Sequence, residues 1–578
     1  MDAKEDFMKL SNKTANIILA IIIVLSLCVS TYFEFTKQGY HEDELLTYNL
    51  ANSSKQLNTD GWNSPEDFNE YLAVSDAHRF DYAQVYQNQI IDASHPPFYY
   101  ALVHTVCSFF PNVFNKWLAY SVNVIMMTIS LILLFKTGKR VTNNNLYALI
   151  ATGGYAFSIA CITTTIYLRM YSTLTMFVLA FLYITLRIFD RGRDVKFYEF
   201  LPVLPIVIFG ILTQYYFILC AGLIGLVFLI LQLKRRAVKS VLLYIVTALI
   251  GAGIALLIYP YIIENVLGGN RGLGSLDLSI DTVTIVTYFV YKLGTYIQIL
   301  AKDLFLGQVW LLAACTVIAV GFGIFFRFVK KRKLPPKSLF VVIPGLVYFF
   351  AISMLSPFNS DRYVMASLPL ISMMFVFAFI RIFGIFGNEK VRLAVPAAVL
   401  LASALGFVFV TPYYLYGKTN LYEPKTKNCV FVGTAMLEWN KCIDKFMLYD
   451  DTMIVQTTDM SPTLASELEA FAEKRGVVTN GKITAFADAY MNTGNFEGTD
   501  ADSLSRLSTD SELNSLEEVT VYISRLADRD KVIDYISKNT PLRNHELIQE
   551  DCSFEDFYNW YDYFVETESY CNVYRFYR

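Results

Sequence analysis

TTTIYLRMYSTL, residues 163–174, sets one arginine, Arg169, in otherwise uncharged, largely apolar sequence. PFNSDRYVMASLPL, residues 357–370, does nearly the same with Arg362, which has Asp361 beside it. A guanidinium that sinks to mid-bilayer costs about 2.5–3.5 kcal/mol on insertion scales. It is tolerated where it snorkels, pairs or binds something. What these two arginines are for depends on whether the sequence around them spans a membrane.

It reads that way. Of the 578 residues 54% are apolar, too many for a soluble domain of this length. A span needs about 20 apolar residues. Stretches of that kind lie near 15–33, 117–135, 146–167, 171–189, 201–213, 216–233, 240–262, 304–326, 338–356, 363–383 and 393–412. The expectation is an α-helical polytopic membrane protein with about eleven transmembrane helices. Residues 201–233 are too long for one helix and too short for two full ones, and Thr213-Gln214-Tyr215-Tyr216 splits them. The first span has too long an apolar run and no small-residue cleavage site, so it is read as an anchor and not a signal peptide.

Charge orients the spans. Lys136, Lys139 and Arg140 follow the second, Arg187, Arg191, Arg193 and Lys196 the fourth, and Lys234, Arg235, Arg236 and Lys239 the sixth. Arg327, Lys330, Lys331, Arg332 and Lys333 follow the eighth, and Arg381, Lys390 and Arg392 the tenth. All lie on alternate loops, so that face is cytoplasmic. The expectation is a multi-pass plasma-membrane protein, with its N-terminus inside and its C-terminal part outside. Topology accounts for the basic runs, so nucleic acid is not an expected partner. On the outer side the short loops carry only Arg169, Arg362 and Asp361.

The chain divides at about residue 412. Residues 1–412 form the membrane domain, with a large first outer loop at 34–116. Within that loop Ser64-Pro65-Glu66-Asp67 has the form of a helix start. Pro96-Pro97 opens an apolar stretch ending near Phe110, too short to span and suited to the interface. Residues 281–303 read as an outer amphipathic or re-entrant helix. From Tyr413 onward there are 28 acidic and 16 basic residues, a balance of −12. The rest holds 23 acidic and 32 basic, +9, and the two sum to −3. Residues 413–578 alternate short β-branched or aromatic runs (Thr452–Gln456, Val519–Ile523, Asn572–Tyr577) with polar helical runs (Ser461–Lys474, Arg529–Ser537). That alternation predicts a C-terminal α/β domain, exported by the charge rule.

Cys28, Cys107, Cys161, Cys220 and Cys315 lie in or near apolar runs and read as packed thiols. Cys429, Cys442, Cys552 and Cys571 lie in the C-terminal part and permit two disulfides in three connectivities. Pairing within short sequence loops, Cys429–Cys442 and Cys552–Cys571, is the simplest expectation. No spacing suggests zinc.

The outer face also gathers carboxylates and histidines. HEDELL, residues 41–46, follows the first span, and DASHPPFYY, residues 92–100, precedes the second. A carboxylate held just above the membrane can take a proton from a hydroxyl. An acidic pair alone is more often a solvated loop, and HPP-aromatic alone is an interfacial helix start. Arg169 with Tyr171, Gln214 with Tyr215, and Arg362 with Tyr363 each sit at an outer span end. Arginine forks bind phosphate bidentately and tyrosine hydroxyls assist; the plainer reading is snorkelling anchors.

Together these motifs resemble a family. Asp43-Glu44 after the first span, His95-Pro96-Pro97 with Tyr99 and Tyr100 before the second, Arg169-Met170-Tyr171 at the start of the fourth, and Arg362-Tyr363 near a late span are similar to the membrane glycosyltransferases of the class C fold. The nearest branch contains protein O-mannosyltransferases, aminoarabinose transferases and bacterial dolichyl-phosphate-mannose-type transferases. The resemblance covers about residues 15–412. It implies a polyprenyl-phosphate sugar as donor, Asp43 as catalytic base with Glu44 its neighbour, and Arg169 and Arg362, with Tyr171 and Tyr363, on the donor phosphate. It implies an acceptor-side or accessory role for Asp92 and His95. Many relatives carry His where this chain has Gln214, which leaves the role of Gln214 and Tyr215 open.

The expected chemistry is one displacement at the anomeric carbon, with inversion. The acceptor would be a hydroxyl of an envelope glycan, a lipid or a protein, and membrane lipids would surround the enzyme. Arginines can neutralise a monophosphate lipid, so no metal or other cofactor is predicted, although the DE and DASH carboxylates could bind a divalent cation. The rival class is a transporter or lipid flippase with an exported accessory domain. It predicts an internal repeat and mid-span charges, and the sequence shows neither.

Overall fold

In the computed structural model the described residues are 10–578, apart from 38, 59–60, 193–194, 268–281, 330, 332–333, 357–359, 384–405, 416–424, 434–438, 440–441, 458–503, 526 and 554–569. The molecule is a polytopic helical membrane protein that carries a C-terminal α/β domain. Among the described residues seven helices are long and apolar enough to cross a membrane: Asn12–Thr36, Lys116–Thr142, Tyr171–Arg191, Tyr216–Lys234, Val238–Ile258, Val309–Val329 and Pro336–Leu355. The count rises to eight if the bent pair Asn145–Ala156 and Ile159–Ile166 is one span.

The difference from about eleven has local causes. Residues 146–167 are not one straight rod, because the chain bends by 59° between the two helices of that pair. Ser158 is extended and its hydroxyl accepts from the Cys161 N–H, so a second helix is capped in the middle of the apolar run. The 201–213 stretch yields a short helix, Val203–Ile211, and 363–383 yields Leu368–Phe383. Most of the expected span at 393–412 lies outside the described residues, as does the expected helix Ser461–Lys474.

The first loop is built as its caps predict. Ser64 caps the Pro65–Leu72 helix and exchanges hydrogen bonds with Asp67. The stretch after Pro96-Pro97 forms the helix Phe98–Ser108, and of 281–303 the described residues, 282–303, lie within the helix Thr282–Leu304.

Six strands form one sheet: β1 Trp62–Asn63, β2 Asn428–Gly433, β3 Asp451–Gln456, β4 Glu518–Ser524, β5 Asn544–Ser553 and β6 Tyr570–Tyr577. Their order is β1-β3-β2-β4-β6-β5. β2 pairs in parallel with β3 and β4, and the other pairs are antiparallel. Successive side chains of a strand point to opposite faces. Val430, Val432, Val519, Val521 and Ile523 pack with Val532 and Ile536 of the Arg529–Asn539 helix. Cys429, Phe431 and Tyr522 face the other way, into the large core that also holds Phe68 and Tyr71 of the first loop. Burying each such aliphatic or aromatic group contributes about 1.5–3 kcal/mol. β1 comes from the first loop, so the loop and the C-terminal domain share one sheet. Phe68 meets Phe446 at 5.8 Å and Tyr71 meets Trp439 at 6.1 Å between ring centroids.

The cysteines follow the expectation in part. Cys107, Cys161 and Cys220 are buried, Cys315 is half-buried, and Cys28 is exposed on its helix. The expected Cys429–Cys442 bridge is not formed: Cys429 is a buried thiol, pushed up by burial and by the neighbouring Cys442. On the adjacent antiparallel strands β5 and β6 the backbones of Cys552 and Cys571 are directly opposed.

Candidate active site

The site begins at the helix Glu42–Asn52. His41 is extended and caps it: its Nδ1 accepts from the Asp43 N–H at 3.0 Å, and the Glu44 carboxylate accepts from the His41 N–H at 2.8 Å. This reciprocal cap fixes the first turn. Glu44 is fully buried and engaged on both oxygens: Oε1 meets Lys37 Nζ at 2.5 Å and accepts from the Leu168 N–H at 2.8 Å. Lys37 also donates to the Ile166 carbonyl at 3.1 Å. Glu44 thus ties the start of this helix to the YLRM turn.

That turn exists because the helix Ile159–Ile166 stops at Tyr167 and a new one starts at Tyr171. Arg169 lies between them with its side chain 2% exposed. Its Nη1 donates to the Asp43 carbonyl at 3.1 Å, Thr47 Oγ1 at 2.9 Å and Tyr100 Oη at 3.1 Å. Its Nη2 lies 3.7 Å from Asp43 Oδ1.

Arg362 reaches the same carboxylate from the turn Asp361–Tyr363 and donates to Asp43 Oδ2. It also donates to Tyr167 Oη at 3.2 Å, and the Tyr363 ring lies 5.2 Å from its guanidinium. Tyr167 in turn donates to Asp43 Oδ2 at 3.0 Å. Burial pushes the Tyr167 hydroxyl well above the ordinary phenol range, and the Asp43 charge adds to this, so it stays a donor. The Asp43 carboxylate, 11% exposed, therefore sits between two guanidinium groups and a phenol. Tyr171 stacks on Tyr167 with ring planes 9° apart.

Asp92 and His95 join this cluster through Arg169. His95 Nδ1 is 2.9 Å from Asp92 Oδ2, and its Nε2 is 3.2 Å from Arg169 Nη2. A guanidinium only donates, so Nε2 accepts and His95 is the neutral Nδ1–H tautomer. Asp92, His95 and Arg169 form a line that fixes the guanidinium.

Gln214 and Tyr215 are close to this line but are not joined to it by a hydrogen bond among the described residues. Gln214 Oε1 accepts from the Tyr215 N–H at 2.6 Å, and Tyr215 Oη accepts from Asn265 at 3.0 Å. The break they occupy supports the HPP helix instead, since the Leu212 carbonyl accepts from the Phe98 N–H at 2.9 Å. Among the described residues no group of three or more His, Cys, Asp and Glu side chains is arranged to hold a metal ion.

Sequence reasoning names Tyr100 within the HPP motif but gives it no role, and it does not single out Lys37, Thr47, Tyr167 or Tyr414. Lys37 carried a signal, a lysine closing an apolar span seven residues before Glu44. Tyr167 and Tyr171 flank Arg169 symmetrically, which is also readable. Nothing local marks Thr47 or Tyr414.

Residues 94–262 match the model of the family described as Dolichyl-phosphate-mannose-protein mannosyltransferase. The match includes HPPFYY and RMY, two of the four motifs behind the resemblance. No curated protein matches the chain. Among solved structures, the chain is similar to ArnT from Cupriavidus metallidurans bound to undecaprenyl phosphate, at 11% identity and TM-score 0.46, covering 96% of this chain and 97% of that one. It is also similar to the Archaeoglobus fulgidus oligosaccharyltransferase tethered with an acceptor peptide, at 10% identity and TM-score 0.43, covering 88% of this chain and 69% of that one.

Proposed function

We propose that the chain is an inverting glycosyltransferase that moves a sugar from a polyprenyl-phosphate donor to an acceptor hydroxyl on the extracytoplasmic face. The observation that carries this is the meeting of Asp43 with Arg169 and Arg362, brought to one point from three separate parts of the chain. The family match over residues 94–262 supports it. The phosphodiester of such a donor offers arginine two non-bridging oxygens, the same planar-fork complementarity that a carboxylate has. Donor binding would draw the two guanidinium groups onto phosphate and free Asp43 to face the acceptor.

In the reaction the acceptor oxygen bonds to the anomeric carbon as its proton passes to Asp43. The bond from the anomeric carbon to the phosphate oxygen breaks, and the electron pair leaves with the polyprenyl phosphate. Arg169 and Arg362 stabilise the charge that grows on that oxygen. Two cations suffice for a monophosphate, so the proposal needs no metal. One displacement inverts the anomeric centre.

The placement of charge supports that face. At the far end of the helix Lys116–Thr142, Arg140 pairs with Asp190 at 2.9 Å, Lys337 pairs with Asp190 at 2.6 Å, and Lys139 donates to Asn12 at 2.8 Å. The first loop holds the other end, where Tyr48 donates to the Asn115 carbonyl at 2.6 Å. A helix of that length separates the two ends by about 40 Å. By the positive-inside rule the basic end belongs on the cytoplasmic side, which supports an extracytoplasmic site and C-terminal domain.

The test is transfer by purified protein in bilayers, with the anomeric configuration of donor and product read by NMR. Inversion is expected. Retention, or no transfer from any polyprenyl-phosphate sugar, overturns the reading.

A further inference from the structure

We propose that Tyr414 is a positioning residue of the transfer site, which sets the Tyr167 hydroxyl against Asp43 and Arg362. The inference rests on the glycosyltransferase reading above. Tyr414 lies between the membrane helices and β2, outside every motif that drew attention to the site. Four observations single it out.

The first is its backbone. Tyr414 has φ +65°, a left-handed conformation that a residue with a large side chain rarely adopts. Strain of this kind persists where the surroundings over-determine it, and it clusters at functional sites. The second is its ring, which stacks on Tyr167 with centroids 3.9 Å apart and planes 8° apart. Tyr171 lies near-parallel to Tyr167 as well, at 5.8 Å, so Tyr167 stacks with two rings.

The third is the Tyr414 hydroxyl, which donates to Asp361 Oδ1 at 2.7 Å. Asp361 directly precedes Arg362 in the same short turn. The fourth is His41, which caps the helix bearing Asp43 and meets both Tyr167 and Tyr414 edge-on, at 5.7 and 5.6 Å. One side chain thus touches the cap of the Asp43 helix, the YLRM turn and the turn bearing Arg362. The chain beside it is anchored too: the Tyr413 N–H donates to Thr163 Oγ1 at 3.4 Å, and the Lys302 ammonium lies 3.4 Å from the Tyr413 ring centroid.

Flat stacking fixes the tilt of the Tyr167 ring and so the place of its oxygen. Without Tyr414 that ring can swing, and its hydroxyl no longer holds Asp43 and Arg362 in one arrangement. A misplacement of about 1 Å at a reacting group costs about 10²-fold in rate.

The experiment is a double-mutant cycle in bilayers, scored as kcat/KM for transfer from a polyprenyl-phosphate sugar. Tyr414→Ala should lose about 10²-fold in the native background. In a Tyr167→Phe background, where the hydroxyl is already gone, the same change should cost less than about threefold, because the two residues act as one unit. Tyr414→Phe keeps the ring and should recover most of the loss. Equal losses in both backgrounds, or no loss in the native one, overturn the inference. If Tyr414→Ala does not insert, Tyr414→Leu fills the space without a flat ring and takes its place in the cycle. A native protein that transfers sugar while the cycle is additive defeats only this inference. A native protein that transfers none defeats the glycosyltransferase reading, and this inference with it.

Discussion

Arg169 and Arg575 are the same residue in opposite settings. Arg575 stands on β6 between Glu518 of β4 and Glu546 of β5, with contacts of 2.7 and 3.0 Å and a side chain 36% exposed. Arg169 is 2% exposed and shares Asp43 with a second arginine. An exposed pair on a sheet exchanges water for carboxylate at little net gain. A buried one has lost its water and depends on its partners, so removing either side leaves an uncompensated charge. On this contrast the Asp43 cluster is the costlier arrangement to hold, and the sheet cluster is a local fit between neighbouring strands.

Mutation should separate the two regions by orders of magnitude. The largest effect is expected for Asp43→Asn, which keeps the shape but cannot accept the acceptor proton. Turnover should fall about 10²–10⁴-fold with donor binding largely kept. Near-native turnover in Asp43→Asn, with Glu44→Gln inactive, would move the base to Glu44. The buried cap and Lys37 contacts of Glu44 argue against that exchange.

Next come Arg169→Ala and Arg362→Ala. Each should raise the donor KM and lower kcat, with a combined loss of about 10²–10³-fold. Unchanged donor kinetics in a correctly inserted double variant would return both to membrane anchors. A smaller effect is expected at His95. Its Nε2 accepts from Arg169 and so helps to hold that guanidinium in place. His95→Ala should lose about tenfold in kcat/KM at neutral pH. A variant as active as the native protein would show that the other partners of Arg169 hold it without His95. The smallest effect is Arg575→Ala, which should leave transfer within about twofold of native. A large loss there would erase the contrast between the regions.

Part of the site was legible because charge is conspicuous in the two short loops that carry Arg169 and Arg362 and otherwise hold almost none. DE, HPP, RMY and RY each marked a residue that the structure places in or beside one cluster. Hydroxyl groups carried no such signal. Thr47 looks like an ordinary mid-helix residue and Tyr167 like an ordinary helix-end one until Asp43 and Arg169 are seen to contact them. Asp92 and His95 were expected on the acceptor side; His95, held by Asp92, meets Arg169, a contact across 74 residues that spacing cannot show. The break at Ser158 was hidden inside a continuous apolar run, where one serine hydroxyl decides between one helix and two. In the C-terminal domain β3, β4 and β6 were readable from β-branched alternation. β1 was not, because two residues, Trp62 and Asn63, have no periodicity to read.

That two-residue strand has a temporal consequence. Trp62 pairs with Met453, 391 positions later in the chain (453 minus 62). Contacts so far apart in sequence form late, because the intervening chain must first exist and be brought round. During synthesis the first loop, with Asp43 at its start, emerges early and then waits for its sheet partner. A polypeptide interrupted before β3 would have its membrane helices but would lack the strand that β1 pairs with. The first loop therefore reaches its paired form only after the chain has been made as far as β3.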